Sequence, residues 1–426
     1  MPYHDHARVR PRLFSALAVG CASALLFVTH PAAAQDLTLT DALSRVASVD
    51  PSIAVRAAQQ QAAEASIRQA DVRPRDLIGV DAEDFAGTGP YSPVDRSQTT
   101  AWYERTWERG GKREARIGAA RSELEVAQQR GRLRMLDLLA QVQSAWVDML
   151  SAEAAVPVAK ERLAVAERLE REVTRRVGRA LDPLFAGERA RTSVAQSRIA
   201  LDQAIETARI ARASLAAFWG GGPDFRVNGS AFLAVSAEST GDASIVDLAL
   251  IEAEREAADA RIRLVEANSV ADPTVRAGVR HFGQGNEVAL VVGGSIPLGG
   301  RQANRGNVER AQAERLAAEA ELAVMRVERK REIDRLVAQR AAIASEIGRI
   351  DRELLPSAER AVVLVRDGFN RGGTAFTFLE VAQAQQAVID ARTRRVELFR
   401  RYHLDGVRLD RLTGRHASLI ASAENR

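Results

Sequence analysis

The first half of the chain begins with a helical pattern that gives way to an extended one. Between Asp41 and Ala70 the sequence is rich in alanine and has helical spacing, and Pro51 marks an early break. The segment 76–107 then loses the 3.6-residue period and contains a central loop rich in Gly and Pro. This pattern predicts a helix followed by a β-hairpin.

A very long helical pattern follows the hairpin. It runs from Lys112 to about residue 176, and we expect Pro157 to kink or break it locally. At about 1.5 Å per residue, such a helix is roughly 100 Å long. The segment 177–183, which contains Gly and Pro, predicts a tip, and a return helix is expected at 186–219.

The second half repeats this order of elements. Val275, Ala277 and Val279 alternate with more polar positions, which predicts a strand with one apolar face. The expected elements are a helix at 244–270, a β-hairpin at 273–296, a long helix at 301–369 that Pro356 interrupts, and a return helix at 378–413.

Matching residues in the same order predict that the two halves arose by internal duplication. The matched positions are Gly110 and Gly111 with Gly299 and Gly300, Pro74 with Pro273, Gly79 with Gly278, and Leu215 with Leu409. The expected organisation is a signal peptide at 1–35, a first repeat at 36–220, a linker at 221–243, a second repeat at 244–414 and a C-terminal tail at 415–426.

The first 35 residues have the features of an export signal. Arg8, Arg10 and Arg12 precede an apolar stretch, and Ala residues at 32–34 fit a cleavage site. Cys21, the one cysteine of the sequence, lies in this segment, and lipidation there is an alternative outcome. The rest of the chain has no apolar run of about 18 residues, so no transmembrane helix is predicted. An exported chain of this kind is periplasmic, secreted or a β-barrel.

Composition favours long helices over a compact enzyme. The 426 residues are 46% hydrophobic and 27% charged but only 5% aromatic, as in coiled coils and long amphipathic helices. The net charge is +4, and the basic residues are interleaved with acidic ones throughout, which argues against a nucleic-acid-binding surface.

The predicted elements together indicate a tube. Helices this long must pack along one another, within the chain or between chains. Four strands cannot close a barrel with an open lumen, and lipid does not tolerate an open sheet edge. If the hairpins are membrane strands, several chains must therefore share one barrel, and the plausible function is conduction.

The order of elements, the junction 296–301 and the tip residues Val177 and Gly178 resemble the TolC-type outer membrane factors, which form the outer membrane efflux protein family. The resemblance implies a mainly α fold with a small β part. Duplicated long-helix hairpins would form a periplasmic α-barrel, and four strands per chain would contribute to a trimeric, twelve-stranded outer-membrane β-barrel.

The resemblance also implies a location and partners. These are the outer membrane of a Gram-negative bacterium with its lipid, the periplasm, a periplasmic adaptor and an inner-membrane efflux pump. The segments 37–43 and 110–113 look most like the CzcC-like branch, which implies export of heavy-metal cations of the cobalt, zinc and cadmium type.

The same resemblance assigns roles to individual residues. Adaptor docking at the helix tips falls to Val177, Gly178, Arg179, Ala180, Gly372 and Gly373. Pore lining or gating falls to Asp182 and Glu380, and the hairpin-to-helix junctions are formed by Gly110, Gly111, Lys112, Gly299, Gly300 and Arg301. Gly178 is also expected to cap its helix. Trp102, Tyr103 and Trp107 fit either an interfacial aromatic belt or packing below the membrane.

No constellation of residues in the sequence predicts catalysis. His281, His403 and His416 are far apart and lack ligand spacing, and no phosphate-binding loop or nucleophile elbow is present. We therefore expect no enzyme, cofactor or metal site, and no nucleic-acid partner. Two alternatives stay open: a multidrug or type I secretion duct of the same family, and a periplasmic coiled-coil scaffold or adaptor without a barrel.

Overall fold

A computed structural model describes residues 36–89, 96–235, 246–371 and 377–424. The predicted signal peptide with Cys21, and the tip residues Gly372 and Gly373, lie outside the described residues. The described chain is mostly helical and contains one four-stranded sheet, so the predicted mainly α fold with a small β part is confirmed.

The first half contains two short helices, a hairpin and two longer helices. Thr38 and Asp41 form a capping box that starts the first helix, and the pair Asp50-Pro51 separates it from the second. The elements are α1 (Leu39–Val49), α2 (Ser52–Ala70), β1 (Leu77–Glu83), β2 (Gln98–Thr106), α3 (Lys112–Gly178) and α4 (Leu184–Ala217).

Helix α3 is continuous over 67 residues and contains Pro157 in its interior. Of the two expected outcomes at Pro157, the break is therefore wrong, and the kink stays a prediction. A proline removes one main-chain hydrogen bond and crowds the preceding turn. In α3 this local loss is offset, because the helix packs along its length against α2 and α4 of its own half.

The interruption predicted beside Pro356 in the long helix at 301–369 is confirmed, and the start of that segment forms a separate short helix. Its elements are α5 (Val246–Ala267), β3 (Thr274–Phe282), β4 (Glu287–Ser295), α6 (Gly300–Ala303), α7 (Arg305–Arg349), α8 (Leu355–Asn370), α9 (Phe378–Thr413) and α10 (Ala417–Glu424). A π-helical turn, Ile350–Leu354, separates α7 from α8. It ends two residues before Pro356, which has no N–H to continue the α-helical ladder.

The main core lies where α1, the middle of α3 and α9 meet. Its most deeply buried side chains include Leu43, Leu139, Met149, Leu398 and Phe399. Phe232 from the predicted linker and Ile420 from the predicted tail also pack into this core, so the described parts of these segments belong to the folded body. Within the described residues, no helix is long and apolar enough to cross a membrane.

The four strands form a single antiparallel sheet in the order β1-β2-β3-β4. One row of paired residues crosses it from Ile78 to Tyr103, Ala277 and Val292. The β2–β3 pairing joins the two halves of the chain. Among the described residues, the outer edges of β1 and β4 have no partner strand.

Candidate functional site

The sheet has one apolar and one polar face. Side chains on one face are almost all apolar, and several are strongly exposed: Ile78 is 84% and Leu290 85% accessible. Arg105 and His281, the basic residues on this face, lie near opposite ends of their strands. Apolar side chains without protein cover, on strands of alternating polarity, are the pattern of a membrane barrel wall.

The opposite face carries a cross-strand network of charges. Arg276 of β3 bonds to Glu104 of the neighbouring strand at 3.2 Å and reaches Asp81 of β1 at 3.4 Å. Four residues further along the strand, Arg280 lies 2.9 Å from Glu83 and donates to Thr100. Ion pairs that span three strands fix the order of the sheet on its polar side.

Trp102 lies on the polar face, between two glycines. The guanidinium carbon of Arg276 is 3.8 Å from its ring centroid, and a Cβ at Gly79 would lie 2.3 Å from the ring. Gly278 occupies the paired position on the other side. An aromatic belt that includes Trp102 is therefore wrong, because the strand turns this residue away from the apolar face. Tyr103 does lie on that face.

The first predicted junction joins the two hairpins. The Lys112 ammonium lies 2.6 Å from one Asp272 oxygen, and the Arg109 N–H donates to the other at 2.9 Å. Asp272 precedes β3, so this ion pair holds the end of the first hairpin to the start of the second. Gly110 and Gly111 have φ of 73° and 69°, a conformation that glycine adopts readily.

The second junction is organised differently. Gly299 has φ of 78°, and a side chain at Gly300 would lie 2.6 Å from the Ser269 carbonyl oxygen. Arg301 is exposed. Asn304 follows the last residue of α6, and its side-chain amide donates to the Val265 carbonyl and to the Ser269 hydroxyl.

The tip after α3 is held by Arg176, a residue that the sequence reading did not single out. Its guanidinium bonds to both oxygens of Asp182, at 2.8 and 3.2 Å, and donates to the Phe369 carbonyl at 2.9 Å. It also lies 4.2 Å from the Phe369 ring centroid. These contacts connect the first tip to the end of α8, and the hydrogen bond to Asp182 raises the pKa of Arg176.

The predicted docking residues have distinct positions at this tip. Gly178 ends α3 but does not supply the left-handed turn; Ala180 does, with φ of 58°. The expectation that Gly178 caps the helix is wrong, because α3 includes Gly178 and the C-cap residue is Arg179. Val177 packs into the small core below the tip, whereas Arg179 is exposed. Leu181, Leu184 and Phe185 add an exposed apolar surface beside them.

The two predicted gating acids are engaged in different local contacts. Asp182 is paired with Arg176, as described above. Glu380 forms a capping box with Thr377 at the start of α9, and the backbone N–H of Thr377 lowers the pKa of Glu380. Both carboxylates thus stabilise helix ends next to the tips.

A cavity of about 250 Å³ lies between α3, α8 and α9 near the tip. Arg392 crosses it, pairing with Glu161 of α3 and, at 2.8 Å, with Glu359 of α8. Apolar side chains including Leu169, Phe369 and Val388 form the rest of the wall. The cavity is a gap in helix packing that ion pairs bridge.

The three histidines of the described chain serve separate contacts. His281 bonds to Asn286 in the β3–β4 turn, His403 to the Phe232 carbonyl, and His416 to Gln143. No group of three or more His, Cys, Asp or Glu side chains in the described ranges is arranged to hold a metal ion.

Comparisons with known proteins agree with this architecture. A family model described as "Outer membrane efflux protein" matches residues 243–415. The cobalt-zinc-cadmium resistance protein CzcC of Cupriavidus metallidurans is 28% identical over 390 residues, covering 90% of this chain and 91% of CzcC. The nickel-cobalt-cadmium resistance protein NccC of Alcaligenes xylosoxydans is 29% identical over 339 residues, covering 77% and 76%.

Solved structures share the fold. The outer membrane protein VceC of Vibrio cholerae superposes with a TM-score of 0.72 at 21% identity, covering 89% of this chain and 97% of VceC. The CusC channel gives 0.71 at 15% identity, with 88% and 92% covered. Identities this low show the fold alone.

Proposed function

Since this chain belongs to the outer membrane efflux protein family, we propose that three copies form the exit channel of a tripartite system that exports heavy-metal cations. The chain lies in the outer membrane and extends into the periplasm. The sheet carries the proposal: its exposed apolar face suits lipid, and its two open edges require partner strands. Further copies of the same chain supply such strands.

Two observations support a cationic cargo. The similar proteins CzcC and NccC are named for resistance to cobalt, zinc, cadmium and nickel. The polar face of the four strands carries four acidic and two basic residues. The acidic residues are Asp81, Glu83, Glu104 and Glu287, and the basic residues are Arg276 and Arg280. This gives a formal charge of −2 per chain on the surface that would line the lumen, and a negative wall favours cations over anions. The channel conducts what the pump delivers and carries out no chemistry itself.

The helix tips are the proposed contact for a periplasmic adaptor. Arg179 is exposed there together with Leu181, Leu184 and Phe185. An apolar surface with a charged rim is a common composition of protein interfaces. Arg176 holds the underlying turn in place from below, so the surface is presented on a rigid support.

The cargo is tested by growth of a deletion strain on cobalt, zinc, cadmium, nickel, dyes and antibiotics. We expect sensitivity to the divalent metals alone, reversed by the intact gene. Sensitivity to dyes and antibiotics instead would identify a multidrug channel and refute the metal cargo.

The membrane orientation of the sheet is tested by arginine at two adjacent positions. Leu290→Arg puts a charge on the apolar face at a cost of about 2–4 kcal/mol, whereas Val291→Arg puts it on the polar face. We expect the outer-membrane level to fall for Leu290→Arg and to persist for Val291→Arg. Equal levels of the two variants, or a purely aqueous unsubstituted protein, would refute the membrane-spanning sheet.

A further inference from the structure

We infer that neighbouring copies pair β4 with β1 in a staggered register, in which Ile78 of one copy lies opposite Ile296 or Leu298 of the next. This inference rests on the proposed three-chain channel. It specifies which residues of a second copy complete the open edges of the sheet.

The hydrogen bonds within the chain define which main-chain groups face those edges. Trp107 donates to Pro273, and Gly283 donates to Ser97, so odd-numbered residues of β2 bond to odd-numbered residues of β3. Because bonding alternates along an antiparallel strand, even-numbered residues of β1 and β4 direct their N–H and C=O groups outwards. The same residues, including Ile78 and Leu290, carry the apolar face, so an even–even pairing continues that face from copy to copy.

Within one chain the sheet has no net stagger. The row from Ile78 through Tyr103 and Ala277 to Val292 crosses all four strands without a bulge. If the next copy joined flush, with its Ile78 opposite Val292, the row would return to the same residue in every copy. A barrel of that kind has strands parallel to its axis, whereas barrel strands are tilted.

The required stagger follows from strand geometry. With a rise of about 3.3 Å per residue and a spacing of about 4.8 Å, a tilt of about 35–45° over twelve strands needs a total stagger of roughly 12–17 residues. The three contacts between β4 of one copy and β1 of the next, called seams below, each supply one third of this stagger. Because hydrogen bonds alternate along the strands, the shift at each seam is an even number of residues. A shift of about 4 residues per seam gives about 35°, and about 6 gives about 46°.

The direction of the shift follows from two prolines and two exposed side chains. Shifting towards the start of β1 would place Pro74 opposite Val292 or Leu290, with its missing N–H at the seam. Shifting the other way places Ile78 opposite Ile296 or Leu298, which are 61% and 92% exposed and continue the apolar face beyond β4. Pro297 is odd-numbered, so its missing N–H faces away from the seam.

Disulfide formation between copies tests the register. Ile78→Cys is combined in turn with Asn286→Cys, Val288→Cys, Val292→Cys, Ile296→Cys and Leu298→Cys, and each protein is oxidised in the outer membrane. Directly paired residues have Cα atoms about 5.5 Å apart, within disulfide reach, whereas a four-residue displacement adds about 13 Å along the strand. The single variants control for reaction through Cys21.

We expect covalent dimers and trimers with Ile296→Cys or Leu298→Cys, formed at least about tenfold faster than with Val292→Cys, because the flush pair is out of reach. Faster reaction of the flush pair, or of the Asn286 or Val288 pair, overturns the inference. So does an absence of cross-links while native mass spectrometry of the unsubstituted protein shows trimers. If that spectrum shows monomers alone, the proposed three-chain channel itself is refuted.

Discussion

Replacement of Arg176 by alanine is the most direct test of how the first tip is held. The side chain is 13% exposed and its partner Asp182 14%. Arg176→Ala removes a two-pronged ion pair, a hydrogen bond to the Phe369 carbonyl and a stacking contact with the Phe369 ring. It also leaves the Asp182 carboxylate without its cation in a partly buried position.

The magnitude follows from these contacts. Removing one partner of a fully buried ion pair costs about 3–5 kcal/mol. Since this pair retains some contact with water, we expect about 2–3 kcal/mol for the local opening of the tip. At about 1.4 kcal/mol per factor of ten, hydrogen exchange there should accelerate roughly 30- to 140-fold.

Hydrogen–deuterium exchange on the purified channel measures this effect. The reporting amides are those of Arg179, Ala180 and Leu181, which bond back to the last turn of α3. Arg175→Ala is the matched control, because its ion pair with Glu172 is exposed and contributes about 0.3–0.5 kcal/mol, roughly a twofold change. An acceleration below about threefold for Arg176→Ala, or equal acceleration in both variants, would refute the assigned role.

Three further outcomes are expected. Lys112→Met should destabilise the channel to heat by about 2 kcal/mol, because Asp272 loses its cation, and adding Asp272→Asn should recover part of that loss. Glu380→Gln should increase hydrogen exchange in the first turn of α9. The pKa of Glu380 is lowered from its ordinary value of 4.5, so the capping contribution of its carboxylate is complete above pH 4.5. This contribution is lost as the pH falls through the lowered pKa. Glu380→Gln should lack this pH dependence. Leu139→Ala should cost about 2–5 kcal/mol in thermal unfolding, whereas Leu316→Ala, at an exposed position, should cost under about 0.5 kcal/mol.

The parts of the fold that follow from local pattern were predictable from the sequence. Val275, Ala277 and Val279 alternate with polar residues, and they lie together on the apolar face of the sheet. The glycine pairs at 110–111 and 299–300 mark the points where strands lead into helices. In both cases the signal lies within a few residues of the feature, so it is visible without knowledge of tertiary contacts.

The parts that depend on distant contacts were not predictable. Arg176 reaches a carbonyl 193 residues away, and Lys112 pairs with a carboxylate 160 residues away. Nothing beside either residue indicates its partner. The position of Trp102 also depends on tertiary structure, because its direction follows from pairing with Gly79 and Gly278 on two different strands. Such features need the register of the sheet as well as the pattern of each strand.

If the two halves arose by duplication, the π turn at Ile350–Leu354 bears on how they diverged. Matched residues at the junctions, such as Gly111 and Gly300, differ by 189 in number, whereas the matched Leu215 and Leu409 of the return helices differ by 194. The second half therefore holds five additional residues between these points. A π turn takes up one extra residue and lets the α-helix resume on the far side. The π turn therefore lets the helical segment 301–369 hold an extra residue while α8 continues in helical form beyond it.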